Sequence, residues 1–216
     1  MKKKRLFIIF VLLAFAFALV VERADFRSPI KSADTTKGWQ LMVVNSNYRV
    51  PENYRLEFIT LSCGEKVEKR IYPDLQDMFD AALSDGVDLV VRSGYRSEEE
   101  QKALMINKIG EFRKKGLSRS EAREKALRWV AMPGTSEHQL GFAVDINAEN
   151  GTTDEKAYSW LSDNAHKYGF ILRYPSDKSH ITGITYEPWH FRYVGKNHAR
   201  NMYESGQCLE EYLQQF

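Results

Sequence analysis

Two histidines and two carboxylates, set in two short segments, are the residues of this sequence best suited to chemistry. His138 and Asp145 share Ser136-Glu137-His138-Gln139-Leu140-Gly141-Phe142-Ala143-Val144-Asp145, while Glu187 and His190 share Tyr186-Glu187-Pro188-Trp189-His190-Phe191. Two imidazoles and one carboxylate suffice to hold a catalytic zinc ion and leave a fourth position open for water. Glu187, three residues before the last histidine, is placed to act as the base for that water. Pro188 and Trp189 stiffen the link between them, so Glu187 stands beside a metal without ligating it. The neighbours of these residues favour a metal over ordinary surface histidines. Asp145 falls in the apolar run Phe142-Ala143-Val144-Asp145-Ile146, which reads as a buried strand, and His190 opens an aromatic, strand-like stretch. A carboxylate inside such a strand is costly unless a cation or hydrogen bonds compensate it.

The elements that must position these groups can be read coarsely. Strands are expected over 40–44, 56–61, 87–93, 142–146, 170–173 and 190–194. Over 74–83, Leu75, Met78, Phe79 and Ala82 form one helical stripe. Ser97-Glu98-Glu99-Glu100 reads as a capping box opening a helix toward Phe112. Further helices are expected over 118–129, with Ala122, Ala126 and Trp129 on one side, and over 155–168, 195–204 and 209–213; the second of these four closes at Gly169. The mixture indicates an α+β domain, a small and mainly antiparallel sheet covered by helices. His166, His180 and His198 belong to no motif and are expected to face solvent.

Three segments occur in order: Ser93-Gly94-Tyr95-Arg96-Ser97, then Ser136-Glu137-His138-Gln139 with Gly141 and Asp145, then Glu187-Pro188-Trp189-His190-Phe191-Arg192-Tyr193-Val194-Gly195. Together they resemble the VanY-type D-alanyl-D-alanine carboxypeptidases, zinc peptidases of peptidoglycan whose family includes L,D-carboxypeptidases and VanX dipeptidases. The resemblance runs from about Leu41 to the C-terminus, with no departure at the metal or base positions. It implies one Zn²⁺ per chain on His138, Asp145 and His190, Glu187 as general base, and a hedgehog/D-Ala-D-Ala peptidase-like fold with the zinc site on the open face of the sheet. Arg96 is implied to grip substrate, and its planar, always-charged fork suits a terminal carboxylate or a developing oxyanion. Gln101, Ser136, Tyr174 and Trp189 match substrate-contacting positions; core packing is the competing reading for Tyr174 and Trp189. The activity implied is removal of the C-terminal D-alanine from peptidoglycan stem peptides. The alternatives are an L,D-carboxypeptidase acting on tetrapeptide stems and a non-catalytic, zinc-stabilised binding module; a base beside an open metal position argues against the latter.

The N-terminus addresses the compartment. Lys2-Lys3-Lys4-Arg5 precedes 16 uncharged apolar residues from Leu6 to Val21, a pattern of export. The stretch is long for a signal-peptide core and short of the roughly 20 residues that span a bilayer. Its Ala-x-Ala pairs lie inside the apolar run, and this favours an uncleaved membrane anchor over a cleaved, secreted form. The expected organisation is therefore a signal or anchor over 1–21, a polar tether over 22–40 and a catalytic domain over 41–216, acting as a monomer outside the cytoplasmic membrane. The formal charge of +2 includes the four N-terminal cations. The remainder, with 27 basic against 29 acidic residues, shows no nucleic-acid surface. Cys63 and Cys208 could form a disulfide in an exported protein or remain two buried thiols, and spacing does not choose between these.

Overall fold

The computed structural model describes residues 30–216; residues 1–29, and with them the expected export segment, lie outside the described residues. One compact unit runs from Ser32 to Phe216. Ala33 is buried, and the Trp39 ring lies 5.0 Å from that of Phe142 and stacks 5.7 Å from that of Tyr193. Packing thus begins inside the stretch expected as a polar tether.

The chain forms a hairpin of β1 (Phe58–Thr60) and β2 (Lys66–Glu68), then helix α1 (Tyr72–Ser84) and strand β3 (Leu89–Ser93). Helices α2 (Glu98–Lys114) and α3 (Arg119–Leu127) follow, then β4 (Ala143–Ala148), α4 (Asp154–Asn164), β5 (Phe170–Leu172), β6 (His190–Tyr193) and α5 (Lys196–Ser205). The main sheet has the order β3-β4-β6-β5 and every pairing is antiparallel. This is the expected α+β architecture, a small sheet with helices around it.

Strand alternation divides the sheet into two faces. Phe142, Val144 and Ile146 point to one side with Phe191, Tyr193 and Phe170, and pack with Leu75, Met78 and Ala82 of α1 and Ala157 and Leu161 of α4. Ala143, Asp145, His190 and Arg192 point the other way, because Asp145 pairs with His190 and Ala143 with Arg192. An irregularity between Val91 and Ser93 adds one residue, Arg92, to β3. Val91 faces Ile146 in the core, but Ser93 is thereby turned to the side of Asp145.

Several expectations are corrected. Residues 40–44 form no strand: Leu41, Met42 and Val44 are buried, but the carbonyls of Gln40 and Met42 accept hydrogen bonds from Arg192 Nη2 at 3.2 and 3.0 Å instead of joining a ladder. The strand β2 escaped notice because its three residues carry two charges. Trp129 lies beyond the end of α3 and is exposed, whereas Ala122 and Ala126 are buried. His166 stacks on Tyr203 with ring centroids 3.7 Å apart, and His198 Nδ1 lies 3.0 Å from the Tyr212 hydroxyl, so both are half-buried; His180 is exposed. Cys63 is exposed and Cys208 buried, and both are free thiols. The capping box at Ser97 is present: the Glu100 amide donates to Ser97 Oγ at 3.2 Å and the Ser97 amide to Glu100 Oε2 at 2.8 Å. Ser118 and Glu121 repeat the device for α3.

Two glycines fix how the site is approached. Gly141, at φ +66°, ends the 3-10 turn Glu137–Leu140, and a Cβ there would lie 2.9 Å from the Glu68 amide nitrogen. Gly94 sits against the backbone of Lys66, whose carbonyl oxygen a Cβ would strike. By contrast Gly110, inside α2, has open space around it and an ordinary φ. Gly94→Ala should therefore destabilise by about 1–3 kcal/mol through overpacking, whereas Gly110→Ala should stabilise by up to about 1 kcal/mol. Thermal denaturation of the two variants checks this; equal melting temperatures would contradict the close approach at Gly94.

Candidate metal centre

His138, Asp145 and His190 come together although they arise from a turn and two strands. Each offers one ligand atom, and these atoms lie within 4.8 Å of one another. Asp145 Oδ1 is 3.0 Å from His190 Nδ1 and 3.5 Å from His138 Nε2. The two rings are nearly perpendicular, 88° apart, with centroids 4.9 Å from each other. Both imidazoles are buried.

The orientation of each ring has a cause. His138 Nδ1 lies 2.7 Å from the Gly94 carbonyl, which can only accept, so Nδ1 carries a hydrogen and Nε2 is the atom turned to Asp145. Strand register places Asp145 opposite His190. Among the described residues, Asp145 Oδ1 and His190 Nε2 are buried polar atoms without a hydrogen-bond partner. An orphaned carboxylate oxygen between two imidazoles is what a cation would satisfy. The donor set, two nitrogens and one carboxylate oxygen, also suits zinc.

Electrostatics agree. Burial opposes ionisation of Asp145, yet the imidazoles of His138 and His190 hold its carboxyl well below the usual carboxylate range. Burial depresses His138. It would depress His190 too, but the carboxylates of Asp145 and Glu137 outweigh it and push the ring up to about 9. A proton thus sits where negative charge converges, and a divalent cation competes for the same place. Glu187 is pushed up to about 7, by burial first and also by the charge of Asp145, against the opposing pull of His190 and Arg96.

Glu187 Oε2 stands 3.7 Å from His190 Nδ1, and the His190 amide closes the intervening turn on the Glu187 carbonyl at 3.2 Å. Arg96 Nη2 is 3.9 Å from Asp145 Oδ2. Its guanidinium is held by Ser93 Oγ at 2.7 Å and Gln101 Oε1 at 2.8 Å. Gln101 also donates one amide N–H to the Ala131 carbonyl at 2.7 Å, so its side chain is anchored while it orients Arg96, and its second N–H stays available at the cleft. A cleft of about 260 Å³ contains Arg96, Gln101, Ser136, His138, Asp145, Tyr174, Glu187, Trp189 and His190, every residue singled out from the sequence. The Tyr174 ring lies 4.8 Å from that of His190. A larger cavity of about 400 Å³, beside Cys63 and Phe79, gathers no cluster of metal-ligating groups among the described residues. Sequence reasoning gave no role to Ser93 or to the buried Glu137, Arg173 and Arg192 behind His190. The signal available was charge inside apolar runs, at Arg173 after Phe170-Ile171-Leu172 and at Arg192 between Phe191 and Tyr193.

The sequence model of the VanY D-alanyl-D-alanine carboxypeptidases matches residues 64–196. The chain belongs to the VanY family. A D-alanyl-D-alanine carboxypeptidase of Enterococcus faecalis is 51% identical over 81% of this chain and 66% of that protein, so the chain spans just under two thirds of that relative's length. The D,D-pentapeptidase VanY of a VanB-type resistance cassette, solved with Zn(II), is 50% identical with a TM-score of 0.80, covering 82% of this chain and 99% of that one. VanYB in complex with D-alanine-D-alanine is similar at 50% identity and a TM-score of 0.81, over 82% and 98% of the two chains. Zinc is thus the metal that VanY kinship and the donor set both indicate. His190→Ala should take the purified protein from about one zinc per chain to almost none without changing its circular dichroism. Full occupancy in that variant, measured by atomic absorption, would exclude this site.

Proposed function

We propose that this chain is a zinc-dependent D,D-carboxypeptidase that removes the C-terminal D-alanine from peptidoglycan stem peptides. One observation carries the reading: Glu187 and Arg96 stand 3.7 and 3.9 Å from the His190–Asp145 pair, within one cleft. His138, Asp145 and His190 would hold the zinc. When bound, zinc supplies a polarised scissile carbonyl and a water of lowered pKa. Glu187 takes one proton from the attacking water as its oxygen bonds to the penultimate carbonyl carbon. It then delivers that proton to the departing amine as the C–N bond breaks, leaving D-alanine and a shortened peptide. Arg96, braced by Ser93 and Gln101, presents its remaining N–H groups to the substrate's terminal carboxylate. Ser136, Tyr174 and Trp189 form walls of the cleft. All of these groups come from one chain, so a monomer suffices.

The enzyme is further proposed to act outside the cytoplasmic membrane, held there by residues 6–21. The basic cluster followed by the apolar stretch supports this. Among the described residues no helix is long and apolar enough to cross a membrane. Fractionation should find the protein with membranes, and a main soluble cytoplasmic pool would overturn the placement.

The activity is tested by mass spectrometry of stem peptides after incubation. Pentapeptide with a free C-terminus should lose one alanine, and its C-terminal amide should be cut far more slowly. Glu187→Gln should keep its zinc and lose about 10²–10⁴-fold in turnover. Equal cleavage of free and amidated peptides would remove Arg96 as the carboxylate reader, and attack on tetrapeptide alone would make the enzyme an L,D-carboxypeptidase.

A further inference from the structure

Behind His190 lies a buried charge cluster that the reaction above does not use. The Glu137 side chain is fully buried, and its Oε1 accepts from Arg173 Nε at 2.9 Å and pairs with Arg192 Nη1 at 3.0 Å. Arg173 directs its other two nitrogens at the Glu210 carboxylate, at 2.9 and 2.6 Å. Arg192 also donates to the carbonyls of Tyr193, Gln40 and Met42. Two arginines and two glutamates balance in formal charge.

Three buried atoms here nevertheless lack a hydrogen-bond partner: Arg192 Nη1, which keeps its ion pair with Glu137 Oε1, and two others. Glu137 Oε2 and His190 Nε2 are both buried without a hydrogen-bond partner, and they face each other at 4.0 Å. That separation is about 1 Å longer than a hydrogen bond. Burying both atoms unmatched is costly, and a small shift of either side chain matches them. On the ring's other edge, Nδ1 faces Asp145. The two histidines therefore need opposite tautomers, with Nε2 of His138 and Nδ1 of His190 free to ligate. The Gly94 carbonyl sets the first.

We propose that Glu137 sets the second. It is a positioning residue whose Oε2 accepts the Nε2–H of His190, so that the Nδ1 lone pair is aimed into the metal site. Histidine ligands depend on such partners, and losing one typically weakens metal binding about 10–100-fold. The inference rests on His138, Asp145 and His190 being the metal site.

Zinc affinity by chelator competition and the His190 tautomer by ¹⁵N NMR of the zinc-loaded parent protein test it. The parent should bind zinc and show a slowly exchanging Nε2–H on His190. Glu137→Gln should bind zinc about 10–100-fold more weakly while remaining folded by circular dichroism. Glu210→Gln removes charge from the same cluster farther from the ring; it should lower the melting temperature and leave zinc affinity within about threefold of the parent. A hydrogen on Nδ1 of His190 in the parent would overturn the proposal without recourse to any variant. Parental zinc affinity in Glu137→Gln, or equal losses in both variants, would overturn it as well. A parent that binds no zinc would refute the metal-site reading itself, a separate outcome.

Discussion

The pairing of Asp145 with His190 across the two central strands is the contact on which the rest of the site depends. Their ligand atoms lie 3.0 Å apart because β4 and β6 run antiparallel in a register that sets these residues opposite each other. A slip of one residue in either strand would turn that strand's ligand into the core and its apolar neighbour, Val144 or Phe191, out of it. The apolar face therefore enforces the polar one: Val144, Ile146, Phe191 and Tyr193 bury together only in the register that builds the site. His138 is brought in by the turn before β4 and is locked by the Gly94 carbonyl, while Glu187 arrives on the turn before β6.

Burial gives these groups their character. An aspartate, two imidazoles and Glu187 share a cleft in which charged forms are penalised, and each responds to its neighbours. Asp145 stays ionised because two imidazoles face it, and His190 holds a proton because Asp145 and Glu137 converge on it. Burial raises Glu187 toward neutrality. A divalent cation would displace that proton and draw Glu187 back down, which leaves a carboxylate near a reacting water and a dry environment in which its charge acts strongly. Farther back, burial opposes ionisation of Glu137, but Arg173 and Arg192 hold its carboxyl well below the usual range. The positive charge that stabilises it comes from strand β6 and from the residue just after β5, so the cluster also ties these elements to the C-terminal turn that carries Glu210.

Arg96 shows how a flexible cation is made directional. Ser93 and Gln101 hold two of its nitrogens, and Gln101 is itself anchored on the Ala131 carbonyl. Fixing the fork in advance lowers the entropy cost of gripping a carboxylate. Gln101 thus supports Arg96 through its carbonyl oxygen and keeps one amide N–H at the cleft.

By itself the sequence determined the features that depend on near neighbours. Capping boxes at Ser97 and Ser118, the stripe of Leu75, Met78 and Ala82, and the alternation around Asp145 and His190 act over one helical turn or one strand, and all can be read from spacing. The residue types His, Asp, His and Glu restricted the chemistry, and their two motifs carried the family resemblance. Tertiary structure decided what depends on distant approach. The extra residue in β3 turned Ser93 toward Arg96, and a fully buried Arg192 drew the backbone of residues 40–44 out of strand form. Glu137, Arg173, Arg192 and Glu210 met behind His190 from four separate parts of the chain. Periodicity reports which face a residue occupies, but not which distant charge faces it, because that follows from register and packing acting over the whole domain.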